Sequence, residues 1–177
     1  MKEIDEVTIR LAAKRDASAF RRIYDYYAGF VWKVIFRTVN GDKEAAREIV
    51  QETFIRVYTS LKSFAFKSAL STWIYRIAFN AANTYMAKVK HRISAVDVET
   101  VSHSTTANAY ENEEMVKKVL SVLSPEERFL LTSREVEGIP FEELAAIMGR
   151  SSESLRTQVS RMKEKLREMF EERFSMR

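Results

Sequence analysis

Apolar residues in this chain recur every three or four positions, not every second one. Phe20, Ile23, Tyr24, Tyr27, Val31, Val34 and Ile35 make one such stripe, running to about Thr38. That period predicts a helix with one buried face. A short helix precedes Leu11, and Asp16 is placed to cap the long one. Asn40-Gly41-Asp42 stops the first stripe and starts a second, marked by Ile49, Val50, Phe54, Val57 and Leu61. After a loop around Ser63–Ala69, a third helix is predicted from about Ser71 to Lys90. Its buried stripe is Leu70, Trp73, Ile74, Ile77 and Ala81, while Tyr75, Phe79, Asn80 and Asn83 fall off it.

The pattern then fails. Residues 93–112, ISAVDVETVSHSTTANAYEN, are rich in Ser, Thr, Ala and Asn and hold no sustained stripe. They read as a flexible linker between two units, or as a long ordered surface loop within one. Beyond them Val116, Val119, Leu120 and Leu123 resume the helical period. Ser124-Pro125-Glu126-Glu127 opens the next helix, with Ser at the N-cap, Pro at the first position and Glu at the third. That helix is expected to run to about Glu137 and to stop at Gly138. Pro140 opens another, ending near Gly149, and Ser151 or Ser152 caps a last one running to about Arg173. The fold class is therefore all-α: two small helical domains, 1–92 and 113–177, joined by the linker.

The last two helices raise a sharper possibility. Gly149 can take the left-handed backbone angle of a tight turn, and Ala145 is small where two helices must approach. Leu155, Val159, Met162 and Leu166 form the buried stripe of the final helix. Its other face carries Arg156, Thr157, Ser160, Arg161 and Lys163. This is the pattern of a helix-turn-helix whose second helix enters the major groove of DNA. There Arg156 and Arg161 would meet guanine edges or phosphates, and Thr157 and Ser160 would read bases or position the helix. An ordinary helical hairpin with a solvated basic face has the same periodicity. Arg150 speaks against the helix-turn-helix, because the residue after its turn glycine is often apolar and buried.

Charge separates the halves. The chain of 177 residues has net charge +4, with residues 1–92 at +8, the linker at −3 and residues 113–177 at −1. A basic first half points to a polyanion. Between Glu52 and Asp97 there is no acidic residue, but there are Arg56, Lys62, Lys67 and Arg76 among Phe54, Tyr58, Phe64, Phe66 and Trp73. Cations neutralise phosphates, and aromatic faces stack on unpaired bases. Glu44, Glu48, Gln51 and Glu52 share one face of the preceding helix. That acidic face would repel DNA; it is either simply solvated or docks a protein of complementary charge. With no cysteine and only two histidines, a metal cluster and disulfides are not expected, nor is any cofactor. No apolar run reaches membrane-spanning length, and the N-terminus lacks the apolar core of a signal peptide, so a cytoplasmic protein is expected.

Three segments, in order, resemble the extracytoplasmic-function (ECF) group of bacterial RNA polymerase sigma factors. EIVQETFIRVYTSLKSF is similar to the family's core-polymerase-binding helix, and STWIYRIAFNAANTYMAK to its promoter-melting helix. The segment from Leu123 to Met169 is similar to its second, helix-turn-helix domain. The resemblance implies a non-catalytic initiation subunit that binds core polymerase and recognises promoter DNA, both duplex and melted. It implies that Glu48, Gln51 and Glu52 contact the clamp coiled coil of the largest subunit. Phe64, Phe66, Lys67, Ser68, Ala69, Arg76 and Asn80 fall on the −10 recognition region, where the loop captures a flipped base. Arg156, Thr157, Ser160, Arg161 and Lys163 fall on the −35 recognition helix. The linker falls on a segment threaded towards the RNA exit path, and an anti-sigma protein is implied as a further partner. One departure bears on the loop: the family commonly carries a basic residue, a glycine and an acid after the loop phenylalanine. Here the order is Phe64-Ala65-Phe66-Lys67-Ser68, which alters the pocket's shape and charge. A stand-alone helix-turn-helix regulator on a duplex operator is the competing expectation.

Overall fold

Three aspartates set the starts of the first three helices. In the computed structural model, which describes residues 4–95, 118 and 120–175, Asp5, Asp16 and Asp42 each sit at an N-cap. Their side chains accept backbone N–H bonds from Thr8, from Ala19, and from both Glu44 and Ala45. Such bonds satisfy amides that the first helical turn leaves without a partner. The helices are α1 (Glu6–Ala13), α2 (Ala17–Thr38) and α3 (Lys43–Ser60). Leu11, expected beyond a shorter first helix, lies inside α1. Asn40 and Gly41 take φ of 55° and 84° between α2 and α3, the left-handed region that Asn and Gly tolerate best.

A single 3₁₀ turn, Leu61–Ser63, leads into the loop, and α4 follows over Leu70–Ala95. The helix thus extends three residues into the segment assigned to the linker; residues 96–112 lie outside the described ones, as do Val116 and Val119. Helices α2, α3 and α4 pack around Ile23, Tyr27, Val31, Ile35, Ile49 and Ile74, all buried, with α1 laid across α2. The buried hydroxyls of Thr38 and Thr53 donate to carbonyls one turn back, Val34 and Ile49, so neither is left without a bond in the core.

The second unit begins with Leu120 and Leu123, both buried, and continues as α5 (Pro125–Glu135), α6 (Phe141–Met148) and α7 (Ser152–Ser175). Ser124 and Glu127 form the reciprocal capping box expected from their spacing. Phe129, Leu130, Leu144 and Leu155 are fully buried at its centre.

The two units are in contact. Helix α5 packs on α2, and α6 on α4. The Phe79 and Phe129 rings lie 4.9 Å apart, the Arg128 Nε donates to the Thr38 carbonyl at 2.8 Å, and the Thr72 hydroxyl donates to Glu143 at 2.7 Å. Buried residues of both units belong to one continuous core.

Candidate nucleic-acid interface

The turn between α6 and α7 forms as its residues dictate. Gly149 has φ 68°, and its N–H donates to the Ala145 carbonyl at 2.9 Å. This left-handed C-cap reverses the chain within two residues. Ser151 then caps α7 by accepting the Ser154 N–H at 3.2 Å. Leu155, Val159 and Met162 are buried, Leu166 is half-buried, and Arg156, Thr157, Ser160 and Arg161 are exposed on the opposite face. Of the predicted cations, two are already engaged. Arg156 pairs with Glu142 and lies over the Phe141 ring, 5.3 Å from its centroid. Lys163 pairs with Glu135 of α5 at 2.8 Å. Arg161 makes no such pair among the described residues and is exposed.

Arg150, the residue at odds with the helix-turn-helix pattern, acts as a bracket. Its guanidinium donates to Gln158 at 2.6 Å, to Ser154 at 2.9 Å and to Glu126 at 3.3 Å. These bonds tie the start of α7 to the start of α5, and so fix the angle at which α7 is presented. The periodicity carries no sign of this, because the partners come together only once the turn is made.

The loop before α4 divides its two aromatics. Phe64 is buried (8% exposed), with its ring 4.8 Å from that of Phe66 and 5.3 Å from that of Trp73. Phe66 is 39% exposed and has φ 56°, an uncommon angle for a bulky residue and a feature that clusters at functional sites. The Arg10 guanidinium sits 4.8 Å from the centroid of the Phe66 ring. Arg10 was not among the expected residues; nothing local marks it, since α1 meets the loop only in the folded chain. Phe64 therefore supports the loop, and Phe66 and Lys67 are its presented groups. Ser68 and Ala69 are half-buried, and Arg76 and Asn80 are exposed one turn apart on α4. Tyr75 and Phe79, off the predicted stripe, are not available to a ligand here: both are buried. Burial, with the Glu137 carboxylate nearby, pushes the Tyr75 hydroxyl well above its ordinary range.

On α3, Glu48 and Gln51 are exposed, and Glu52 is half-exposed and pairs with Arg56 at 2.6 Å. They border a groove of about 280 Å³ shared with Tyr85 and Lys88 of α4. Burial and the Glu48 carboxylate raise the Tyr85 hydroxyl's pKa. A larger apolar groove of about 690 Å³ lies beside it between α2 and α3, walled by Phe20, Tyr24, Trp32, Phe54, Ile55 and Tyr58. The sequence places Phe20 and Tyr24 on the buried stripe of α2, yet both wall this groove, Tyr24 exposed, together with Trp32, which the stripe leaves unassigned. No group of side chains suited to a metal ion occurs among the described residues, and none of the described helices is long and apolar enough to cross a membrane.

Two family models match the chain: Sigma-70 region 2 over residues 23–92, and Sigma-70, region 4, over residues 113–166. The ECF RNA polymerase sigma-E factor of Escherichia coli K12 is 31% identical over 176 residues, covering 90% of this chain and 91% of that protein. The protein of the same description from Haemophilus influenzae is 30% identical, covering 90% of this chain and 92% of its own. Among solved structures, CnrH in complex with the cytosolic domain of CnrY matches with a TM-score of 0.71 at 19% identity, over 94% of this chain and 97% of that one. RpoE of Bartonella quintana, solved with the anti-sigma factor NepR, also gives 0.71, at 24% identity over 86% and 96%. These two likenesses bear on the fold.

Proposed function

This chain belongs to the ECF group of RNA polymerase sigma factors, subunits that direct promoter-specific transcription, and from that premise we propose how its surfaces divide the work. The first unit binds core polymerase through Glu48, Gln51 and Glu52 of α3, whose carboxylates suit a cationic face on the clamp coiled coil of the largest subunit. The second unit holds duplex −35 DNA. Arg161, Thr157 and Ser160 enter the major groove, with Arg156 beside them once it leaves Glu142. Lys163 adds charge near the phosphates once it leaves Glu135.

At the −10 element the loop offers Phe66 as a stacking surface for an unpaired base, with Arg10 behind the ring to stiffen it. Lys67, Arg76 and Asn80 supply phosphate and base contacts, Ser68 and Ala69 shape the pocket floor, and Phe64 holds the loop against Trp73. Strand opening then needs no bond chemistry from this chain, which acts as a non-catalytic subunit in the cytoplasm. An anti-sigma protein is a further partner, for which the apolar groove between α2 and α3 offers a seat.

The observation that carries this reading is the recognition helix: four polar or cationic residues on the open face of α7, backed by a buried stripe and fixed by a left-handed glycine. Run-off transcription with purified core polymerase is the test. Promoter-dependent transcripts are expected only when the chain is added. Tight binding to a duplex operator without core, and no transcripts with it, would reject the reading.

A further inference from the structure

Helix α1 lies outside both matched family spans, the first of which begins at residue 23. Its side chains nonetheless converge on the segment that carries the offered ring. Arg10 places its guanidinium 4.8 Å from the centroid of the Phe66 ring. Glu6, one turn earlier, steadies that guanidinium: the Arg10 Nε donates to it at 2.7 Å, and a second nitrogen pairs with the same carboxylate. Arg15, just beyond the end of α1, donates to the Tyr58 carbonyl at 2.8 Å and lies 4.3 Å from the Tyr58 ring centroid. Tyr58 is in the last turn of α3, where carbonyls lack partners within the helix. Between these two grips α1 packs on the 3₁₀ turn Leu61–Ser63. The helix is itself anchored on α2, since Arg22 donates to Thr8 at 3.0 Å and pairs with Asp5 at 3.6 Å.

We propose that α1 is a working part of the −10 reader. Arg10 is a positioning residue that holds the Phe66 ring for a stacked base, and Arg15 splints the end of α3 from which the loop departs. The inference deepens the sigma-factor reading and rests on it. Phe66 and Arg15 have φ of 56° and 73°. Bulky residues adopt such angles rarely, and keep them only where their surroundings hold them. Here the holding groups are the two arginines and their partners. A phosphate contact is a poorer role for Arg10, because Glu6 already engages two of its nitrogens. Arg10 therefore acts on DNA through the ring.

The test uses fork promoter DNA whose unpaired −10 strand carries 2-aminopurine, bound by reconstituted holoenzyme. Quenching reports the stack, and the dissociation constant reports its strength. Arg10→Ala should weaken binding roughly 2–5-fold, the worth of an exposed cation–π contact, and reduce the quenching. Arg10→Lys keeps a cation over the ring and should recover most of the loss. Arg15→Gly preserves the turn, since glycine accepts that angle, and should weaken the stack in the same direction. In a Phe66→Leu background neither change should matter further, because the ring they position is gone. Lys14→Ala removes an exposed cation beside Arg15 and should have no effect, and −35 duplex binding should hold throughout. Alanine is the best helix former, so helix content by circular dichroism should stay level in Arg10→Ala. No loss from Arg10→Ala, or an equal loss with and without the Phe66 ring, would overturn the proposal. Tighter binding by Arg10→Ala would also overturn it, by showing that the guanidinium competes with the base for the ring. If no form, wild type included, bound the fork with core, the sigma-factor reading would fall; the same cycle on the free chain with the single strand alone would then decide Arg10.

Discussion

Replacing Glu142 by Gln should strengthen binding to the −35 element, which is the opposite of what losing an internal ion pair would suggest. In the structure Glu142 holds the Arg156 guanidinium, with the Phe141 ring beneath it. Arg156 must leave that carboxylate to reach DNA. The pair is well exposed, with side-chain accessibilities of 54% and 66%, so the attraction it gives up is small, about 0.2–1 kcal/mol. At 1.4 kcal/mol per decade that is a gain of roughly 1.4–5-fold in affinity. Removing a negative charge beside the phosphates acts in the same direction. The substitution also takes an acid from the first turn of α6, costing stability of about 0.3–1 kcal/mol but not affinity. The assay is equilibrium binding of reconstituted holoenzyme to a duplex −35 fragment over a series of salt concentrations. Wild type, Glu142→Gln, Arg156→Ala and Arg161→Ala would be compared. Arg161 has no ion pair among the described residues to give up, so its removal should cost more than that of Arg156, about 1–3 kcal/mol if it reads a base. Weaker binding by Glu142→Gln would refute the reasoning, since it would mean the carboxylate positions Arg156 for DNA instead of competing for it.

Other substitutions test separate links. Gly29 sits on the exposed side of α2, and a Cβ there meets nothing within 4 Å; Gly29→Ala should raise stability by about 0.4–1 kcal/mol in chemical denaturation. Ser124→Ala removes half of the capping box and should cost about 1 kcal/mol in the same experiment. Glu52→Lys should slow association with core polymerase in a competition assay, as reversal of a rim charge does. The Thr8 backbone N–H, chiefly, holds the Asp5 carboxyl below its ordinary value of 3.8. Its stabilisation of α1 is therefore fully present above that value and is lost as pH falls through the lowered one. Amide exchange in α1 should accelerate there in the wild type and show no such step in Asp5→Ala.

What could be read from residues alone was mostly what neighbours in the chain decide. Asp16, Asp42 and Ser124 cap the helices they precede, and Gly149 turns the chain, because each acts on groups two to four residues away. The α7 stripe and its open face follow from one helical period. Tyr75 and Phe79 show where that logic stops. A helical wheel identifies a face that packs on one neighbour, whereas α4 has neighbours on two sides, and the second comes from residues beyond position 120. The bond between Thr72 and Glu143 spans 71 positions, and Arg10 meets Phe66 only because α1 lies against the turn before the loop. Phe64 and Phe66 are two residues apart and look alike in sequence, yet one is buried and the other offered. The positive φ of Phe66, set by the loop's path, separates them.

Permanganate footprinting of promoter DNA with core polymerase and this chain tests the division of labour most directly. The account predicts reactive, unpaired thymines around the start site with both components present, and loss of that reactivity when Phe66→Ala removes the offered ring while −35 duplex binding persists. Footprints lacking reactive thymines at any transcribed promoter, or a Phe66→Ala chain that opens DNA as well as the wild type, would contradict it.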